Sequence, residues 1–215
     1  MTTRGSNNPR TVVNQLRRSV SGPNETALSD SRKRVRSWFA EQAPLIQWGE
    51  MISPLGQLFV AVSGRGLCAV DFGRDESDFL GRLDPQARLE RNSDAVEHVI
   101  TQLREYFTGD RSNFNLPIDI SQLTPFHRTV LEVTCRITRG QVWTYRRVAE
   151  ELGRPHCSRP VGQALARNPV PIVIPCHRVI ATNGSLHGYS GGSGLKAKRW
   201  LLELEGALKE IANHK

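Results

Sequence analysis

A cysteine and a histidine stand side by side at Cys176 and His177, directly after Pro175 and close to basic residues. The thiolate is the reactive form of cysteine, so nearby positive charge and a neighbouring base would make Cys176 a nucleophile. The alternative is a structural cysteine in the core, which is the commoner position of a free cysteine. Because Pro175 disfavours ordinary burial in a helix or a central strand, we predict a nucleophilic thiol at Cys176.

Metal binding is a second use of such residues. His156-Cys157 and Cys176-His177 could supply four ligands. Adjacent residues rarely bind one ion together, however, and the spacing of about two to four residues typical of zinc ligand pairs is absent. The four cysteines also contain no Cys-x-x-Cys pair, so they form no disulfide scaffold. We predict no metal, no cofactor, and a reducing intracellular environment.

The distribution of charge suggests a polyanionic partner. The 215 residues carry a net charge of +8, and residues 1–40, 41–125 and 126–215 contribute +6, −6 and +8. A basic half beside an acidic half suits nucleic-acid binding, although a solvated basic surface fits the charge equally well. No apolar run approaches the ~18 residues of a membrane span. No secretion signal is evident either, so we expect an intracellular protein without a membrane partner.

The N-terminal segment has the composition of a tail. Residues 1–31 are rich in Ser, Asn, Thr and Arg and show no helical or strand periodicity, which is typical of disorder. The first 24 residues contain four arginines and no acid, which fits an arm that tethers a polyanion or an organelle transit peptide. We predict a disordered basic tail at 1–44, an α+β domain at 45–122 and a second domain at 123–215.

Turn residues and periodicity divide these two domains into elements. Two hairpins are predicted over residues 46–72, because apolar runs there are interrupted by Pro-Leu-Gly and Ser-Gly-Arg-Gly turns. Apolar residues at helical spacing predict an amphipathic helix over 93–107, ending at Gly109. A further strand is expected at 116–120.

The second domain is predicted to be mostly helical. Thr124-Pro125 begins a helix that we expect to run to Arg139-Gly140. Thr144 caps a short helix, and a second short helix follows at 159–166 after a turn through Pro155. Two short helices joined in this way form a helix-turn-helix candidate.

Several blocks in this half occur together in one known family. Pro-Cys-His-Arg-Val at 175–179 resembles the active-site motif of the O6-alkylguanine-DNA alkyltransferases, also called methylated-DNA–protein-cysteine methyltransferases. The resemblance covers residues 46–206 and extends in register to five further blocks: 140–145, 159–164, 168–169, 188–192 and 200–206. This resemblance implies a ribonuclease-H-like sheet domain followed by a winged-helix-like domain with a helix-turn-helix.

The resemblance also implies catalytic roles. Cys176 would attack the alkyl carbon on guanine O6 and keep the alkyl group as a thioether, so that each molecule acts once. His177 would take the thiol proton through a water, and Glu205 would orient His177 as the third member of a triad. Tyr145 would donate a hydrogen bond to the guanine as negative charge develops on it.

Substrate and DNA contacts are implied in the same way. The partner would be double-stranded alkylated DNA, bound in the minor groove with the target guanine flipped out of the stack. Arg159 would fill the gap in the duplex, and Asn168 would fix the turn before the active site. The remaining residues expected to contact DNA or substrate are Gly162 and Ala164 on the recognition helix, and Tyr189 and Ser190 in the loop at 188–192, here called the pocket loop.

The resemblance therefore implies a DNA-repair methyltransferase, which we expect to be a monomer of the cytoplasm and nucleoid, or of the nucleus or an organelle in a eukaryote. Its substrates would be O6-alkylguanine and, to a lesser degree, O4-alkylthymine. Three other functions are considered: a lesion-binding protein without transfer, a methylation-triggered regulator and a Cys-His hydrolase. The presence of Cys176 argues against the first, because such lesion binders lack the acceptor cysteine.

Overall fold

The computed structural model describes residues 25–73, 75–189, 191–208 and 211. Its first element, α1, is a helix at Glu25–Gln42, where the sequence predicts a disordered tail. The prediction relied on missing apolar periodicity, but this segment contains neither Gly nor Pro and is rich in good helix formers. Glu25 in the first turn also complements the helix dipole. The helix corrects the prediction for residues 25–42; the first 24 residues lie outside the described part.

A four-stranded sheet begins the second unit of the chain, residues 44–215. Strands β1 (Leu45–Ser53), β2 (Gly56–Ser63) and β3 (Gly66–Asp71) form two successive antiparallel hairpins. Strand β4 (Arg88–Arg91) pairs parallel to β1, which gives the order β3-β2-β1-β4. Both predicted hairpins are confirmed, whereas β4 and the short helix α2 (Glu76–Leu80) were not predicted.

The strand predicted at residues 116–120 is wrong. Ile118 makes one isolated bridge with Leu67. The backbone N–H of Leu67 donates to the Pro117 carbonyl at 2.8 Å, and the N–H of Asp119 donates to the Leu67 carbonyl at 2.8 Å. Pro117 has no N–H to donate, so the pairing does not extend into a ladder.

Helix α3 (Ser93–Thr108) confirms the predicted amphipathic helix. The side chain of Asn92 caps its first turn, and Gly109 ends it in the left-handed conformation at φ 89°. The helix packs closely on β1, because a Cβ placed on Gly49 would lie 2.6 Å from Cγ2 of Val96. This close approach covers one face of the sheet with the apolar side of α3.

The second half is mainly helical, as predicted. Helix α4 ends at Thr134, five residues before the predicted end, because the chain leaves the helix through the turn at Cys135. Thr144 caps the next helix as expected, through a bond from the N–H of Arg147 to its hydroxyl. The elements in order are α4 (Pro125–Thr134), β5 (Trp143–Thr144), α5 (Tyr145–Glu151), α6 (Ser158–Ala166), a 3-10 helix (Cys176–Arg178), β6 (Val179–Ile180) and α7 (Leu195–Leu204).

One hydrophobic core runs through both halves of residues 44–215. A single cluster of contacting buried side chains includes Val60 of β2, Leu103 of α3, Val130 of α4 and Cys176. The halves are also joined by backbone, since the N–H of Val70 in β3 donates to the Pro169 carbonyl at 2.8 Å. The predicted α+β class is confirmed, and its two layers share a core across the boundary predicted near residue 122.

Candidate active site

Asn168 organises the loop that leads to Cys176. Its side-chain amide donates to the Ile174 carbonyl at 2.9 Å, and its side-chain oxygen accepts from the Val170 N–H at 3.0 Å. Ile172, inside this loop, has a φ of 74°, a strained conformation for a β-branched residue. The loop delivers Cys176 to the start of the 3-10 helix, where the side chain is 7% exposed.

His177 and Glu205 form a buried pair beside this thiol. His177 Nε2 lies 3.0 Å from Glu205 Oε1, and neither side chain is exposed. Burial alone would raise the pKa of Glu205, but hydrogen bonds from His177 and Arg178 and the positive charge of Arg178 hold the pKa well below its usual range. The ionised carboxylate therefore assigns the proton to Nε2 and leaves Nδ1 as an acceptor. Nδ1 has no hydrogen-bond partner among the described residues.

The surroundings of Cys176 have opposing effects on the pKa of its thiol. Burial raises the pKa of the thiol, while a hydrogen bond from Asn168 and the positive charge of Lys198 lower it. Burial also lowers the pKa of His177 and keeps the imidazole neutral in the resting protein. A neutral imidazole with a free Nδ1 can accept the thiol proton when a substrate is bound.

Lys198 is a part of the site that the sequence analysis missed. Its ammonium is fully buried and donates to the carbonyls of Val179 at 2.6 Å and His187 at 3.0 Å. Burial lowers its pKa to about 8, although Cys176 acts in the opposite direction. The signal in the sequence was the position of Lys198, three and four residues before the buried Leu201 and Leu202 on one helix face.

Tyr145 lies at the start of α5, beside α6. Its hydroxyl donates to the His187 carbonyl at 3.1 Å, and burial raises its pKa, so it remains protonated. Its ring faces Gly162 of α6, where an added Cβ would lie 3.7 Å from Cε1. Tyr145 and Gly162 are therefore brought together, and Tyr145 also contacts the backbone of His187.

The structure describes the pocket loop except for residue 190. The hydroxyl of Tyr189 is buried and has no partner among the described residues, and burial raises its pKa well above the usual value. An added Cβ on Gly191 would approach the Tyr189 ring to 2.9 Å, so the glycine allows the tyrosine to pack against the loop backbone. Ser190, also predicted at this site, lies outside the described residues.

Helices α5 and α6 present a basic surface. Arg159, the second residue of α6, is exposed. Ala164 is wrong as a predicted DNA contact, because it is 1% exposed and packs into the core. Its place on the inner face follows from helical spacing, since Val161 and Leu165 on the same side are also buried. The other exposed arginines on, between or directly after these helices are Arg146, Arg147, Arg154 and Arg167.

Two more residues at the site were not predicted. Arg178 binds both oxygens of Glu205, through Nε at 2.9 Å and Nη2 at 2.7 Å. Tyr106 of α3 donates its hydroxyl to Glu205 Oε1 at 2.7 Å. Arg178 is part of the motif at 175–179, whereas Tyr106 lies on the buried face of α3, where helical spacing gives no sign of a polar role.

The fold and the site define an α+β protein with a buried cysteine next to a buried histidine–carboxylate pair. Residues 46–120 match the family model described as 6-O-methylguanine DNA methyltransferase, ribonuclease-like domain. Residues 125–207 match the model described as 6-O-methylguanine DNA methyltransferase, DNA binding domain. These matches confirm the predicted order of a ribonuclease-like layer followed by a DNA-binding layer.

Similar proteins agree with the family models. A methylated-DNA–protein-cysteine methyltransferase of Methanosarcina barkeri is 37% identical over 153 residues, which cover 71% of this chain and 92% of the relative. The inducible enzyme of Bacillus subtilis is 32% identical over 166 residues, 75% of this chain and 91% of the relative. The crystal structure of Mycobacterium tuberculosis OGT in complex with DNA is 32% identical, with a TM-score of 0.66 and coverage of 75% and 93%. This chain belongs to the methylated-DNA–protein-cysteine methyltransferase family, which confirms the resemblance found in the sequence.

Proposed function

We propose that this methyltransferase repairs DNA by moving the alkyl group of O6-alkylguanine onto Cys176. The observation that carries the proposal is the buried arrangement of Cys176, His177 and Glu205, in which His177 Nδ1 is left as an acceptor. Alkyl transfer to a cysteine is the activity named for the relatives. Cys176 is next in the chain to His177, whose Nε2 is hydrogen-bonded to the Glu205 carboxylate.

The chemistry is a displacement at carbon. The Cys176 sulfur forms a bond to the alkyl carbon, the bond from that carbon to O6 breaks, and its electron pair remains on the guanine. The thiol proton leaves to His177 Nδ1, through a water, and the guanine regains one proton, so the charges balance. The protonated Tyr145 hydroxyl would turn from the His187 carbonyl to the guanine and stabilise the negative charge that develops there.

The product limits the protein to one reaction. A thioether has no good leaving group, so the alkyl group stays on Cys176 and the thiolate is not regenerated. Each molecule then repairs one lesion and is consumed. O4-alkylthymine, which carries the same type of alkyl ether, is proposed as a lesser substrate.

Double-stranded DNA is the partner, and α6 is the proposed recognition helix in the minor groove. The exposed arginines of α5 and α6 suit phosphate contacts, which position a protein without reading sequence. The lesion must leave the base stack to reach a buried thiol, at a cost of a few kcal/mol. Arg159, exposed at the start of α6, would fill the space left in the duplex.

The protein is proposed to act as a monomer in the compartment that holds the DNA. For a bacterium or an archaeon this is the cytoplasm with its nucleoid, and for a eukaryote the nucleus or an organelle. Within the described residues, no helix is both long and apolar enough to cross a bilayer.

Intact-mass measurement after incubation with duplex DNA containing O6-methylguanine tests the proposal. We expect a gain of ~14 Da on one thiol, located to Cys176 by peptide mapping. The Cys176→Ala variant should bind the DNA without gaining mass, whereas Cys135→Ala, at an exposed cysteine, should react normally. Binding without a mass gain by the wild-type protein would indicate a lesion binder, and release of methanol with turnover would indicate a hydrolase.

A further inference from the structure

Glu205 is held by side chains from two separate parts of the fold. His177 and Arg178 are neighbours on one three-residue 3-10 helix, so they contact the carboxylate from the same element. Tyr106 approaches from α3 and lies 99 residues before Glu205 in the chain. Helix α3 and strands β1 to β4, on which it packs, are here called the sheet-and-helix layer. Oxygen Oε1 is the meeting point, with the Tyr106 hydroxyl at 2.7 Å and His177 Nε2 at 3.0 Å.

The Tyr106 ring is packed against several neighbouring side chains. It is fully buried, with the ring of Phe114 at 5.4 Å and the guanidinium of Arg139 at 5.4 Å from its centre. Arg139 also donates to the Leu204 carbonyl at 3.1 Å, which is the residue before Glu205. The same group of side chains therefore contacts both the backbone and the carboxylate at the end of α7.

The direction of the Tyr106 hydrogen bond is unambiguous. Burial, reinforced by the charge of Glu205, raises the pKa of Tyr106 far above its usual value, so the phenol keeps its proton. Glu205 is ionised, as its lowered pKa indicates. A buried phenol that donates to a carboxylate is a charge-assisted hydrogen bond, which is both shorter and stronger than a neutral one.

Resting on the proposed function, we propose that Tyr106 is a positioning residue for alkyl transfer. Its hydroxyl holds Glu205 Oε1 against His177 Nε2 and so maintains the imidazole tautomer whose Nδ1 accepts the thiol proton. Arg178 contacts the carboxylate from the same 3-10 helix as His177, so Tyr106 supplies the contact that comes from a separate part of the fold. The sheet-and-helix layer thus takes part in activating Cys176, through one hydroxyl.

Single-turnover kinetics of Tyr106→Phe test the role, since this change removes one oxygen and keeps the ring. We expect the transfer rate at saturating duplex to fall about tenfold, equivalent to about 1.4 kcal/mol. The duplex concentration for half-maximal rate should stay unchanged, and the free base O6-benzylguanine should show the same fall in rate. Thr134→Val is the matched control, because it removes another buried hydroxyl, which donates to the Val130 carbonyl at 2.8 Å.

A double-mutant cycle separates positioning from packing. If Tyr106 acts through Glu205, then Tyr106→Phe should change the rate less than about twofold in a Glu205→Gln background. An unchanged rate for Tyr106→Phe alone, or an equal loss in both backgrounds, would overturn the inference. Thermal unfolding checks that each variant is folded. Failure of the wild-type protein to alkylate Cys176 would instead overturn the proposed function.

Discussion

Lys198 donates a hydrogen bond to the backbone carbonyl of His187, although its ammonium is fully buried. The same carbonyl accepts the hydroxyl of Tyr145, so one backbone oxygen joins α5 to α7. A buried ammonium is costly even when it has partners, and burial lowers the pKa of Lys198 to about 8. The Lys198 charge lowers the pKa of Cys176, but burying this charge reduces the free energy of unfolding of the protein.

This relationship predicts how stability depends on pH. The pKa of Lys198 is about 8 in the folded protein and near its ordinary 10.5 in the unfolded chain, so the unfolded chain binds more protons between these values. The contribution of Lys198 to the free energy of unfolding should therefore rise with pH across that window, by on the order of 3 kcal/mol. Urea unfolding of wild type and Lys198→Met at about pH 7.5 and pH 10 measures the difference. Parallel pH dependences of the two proteins would contradict it.

Asn168 is expected to be important for both stability and transfer. In Asn168→Ala the carbonyl of Ile174 and the N–H of Val170 lose their buried side-chain partner. We expect a loss of about 2 kcal/mol in the free energy of unfolding, measured in urea, and slower transfer because the loop before Cys176 is released. Asn183→Ala serves as the control, since Asn183 also closes a turn but is exposed. If the two variants lost the same amount of stability and transfer rate, Asn168 would not be the residue that holds the loop before Cys176.

Arg159 should affect base extrusion and leave the chemistry intact. If it fills the gap left by the flipped guanine, Arg159→Ala should slow repair of duplex DNA by at least about tenfold at saturation. Transfer from free O6-benzylguanine should hardly change, because nothing is extruded there. Glu205→Gln should slow alkyl transfer from both the duplex and the free base, since it affects activation of the thiol.

The matched control for Arg159 is Arg167→Ala, at the C-terminal end of the same helix. This change should weaken binding to DNA without slowing transfer at saturation. Equal rate losses for Arg159→Ala on the duplex and on the free base would assign Arg159 to the site or the fold instead.

The N-terminal segment is expected to act through its charge. Deleting residues 1–24, which contain four arginines and no acid, leaves α1 complete. The salt dependence of DNA binding should become shallower by about 0.9 in log–log slope for each arginine that contacts a phosphate. Single-turnover rates at saturating duplex should stay the same. A truncated protein that binds with the wild-type salt dependence would exclude a tethering role.

Local sequence was sufficient to predict those elements whose structure is decided by residues close together in the chain. Helix α3 follows from the apolar period and from Gly109 in its C-terminal turn, and α5 begins at its cap, Thr144. The block from Asn168 to Cys176 is equally local, because Asn168 bonds residues two and six positions away. Family membership followed from such blocks and their order in the chain.

The packing of distant elements decided the rest. Whether Ala164 faces the solvent or the core depends on what packs against α6, and Lys198 lies buried among residues such as Val179 and His187, which are distant in the chain. The bond between Tyr106 and Glu205 joins residues 99 positions apart, so no local pattern could indicate it. Sequence by itself therefore determined the family of the protein and the order of its motifs along the chain. The tertiary structure decided which buried partners surround them, because desolvation and hydrogen bonding depend on contacts that form only when the layers pack together.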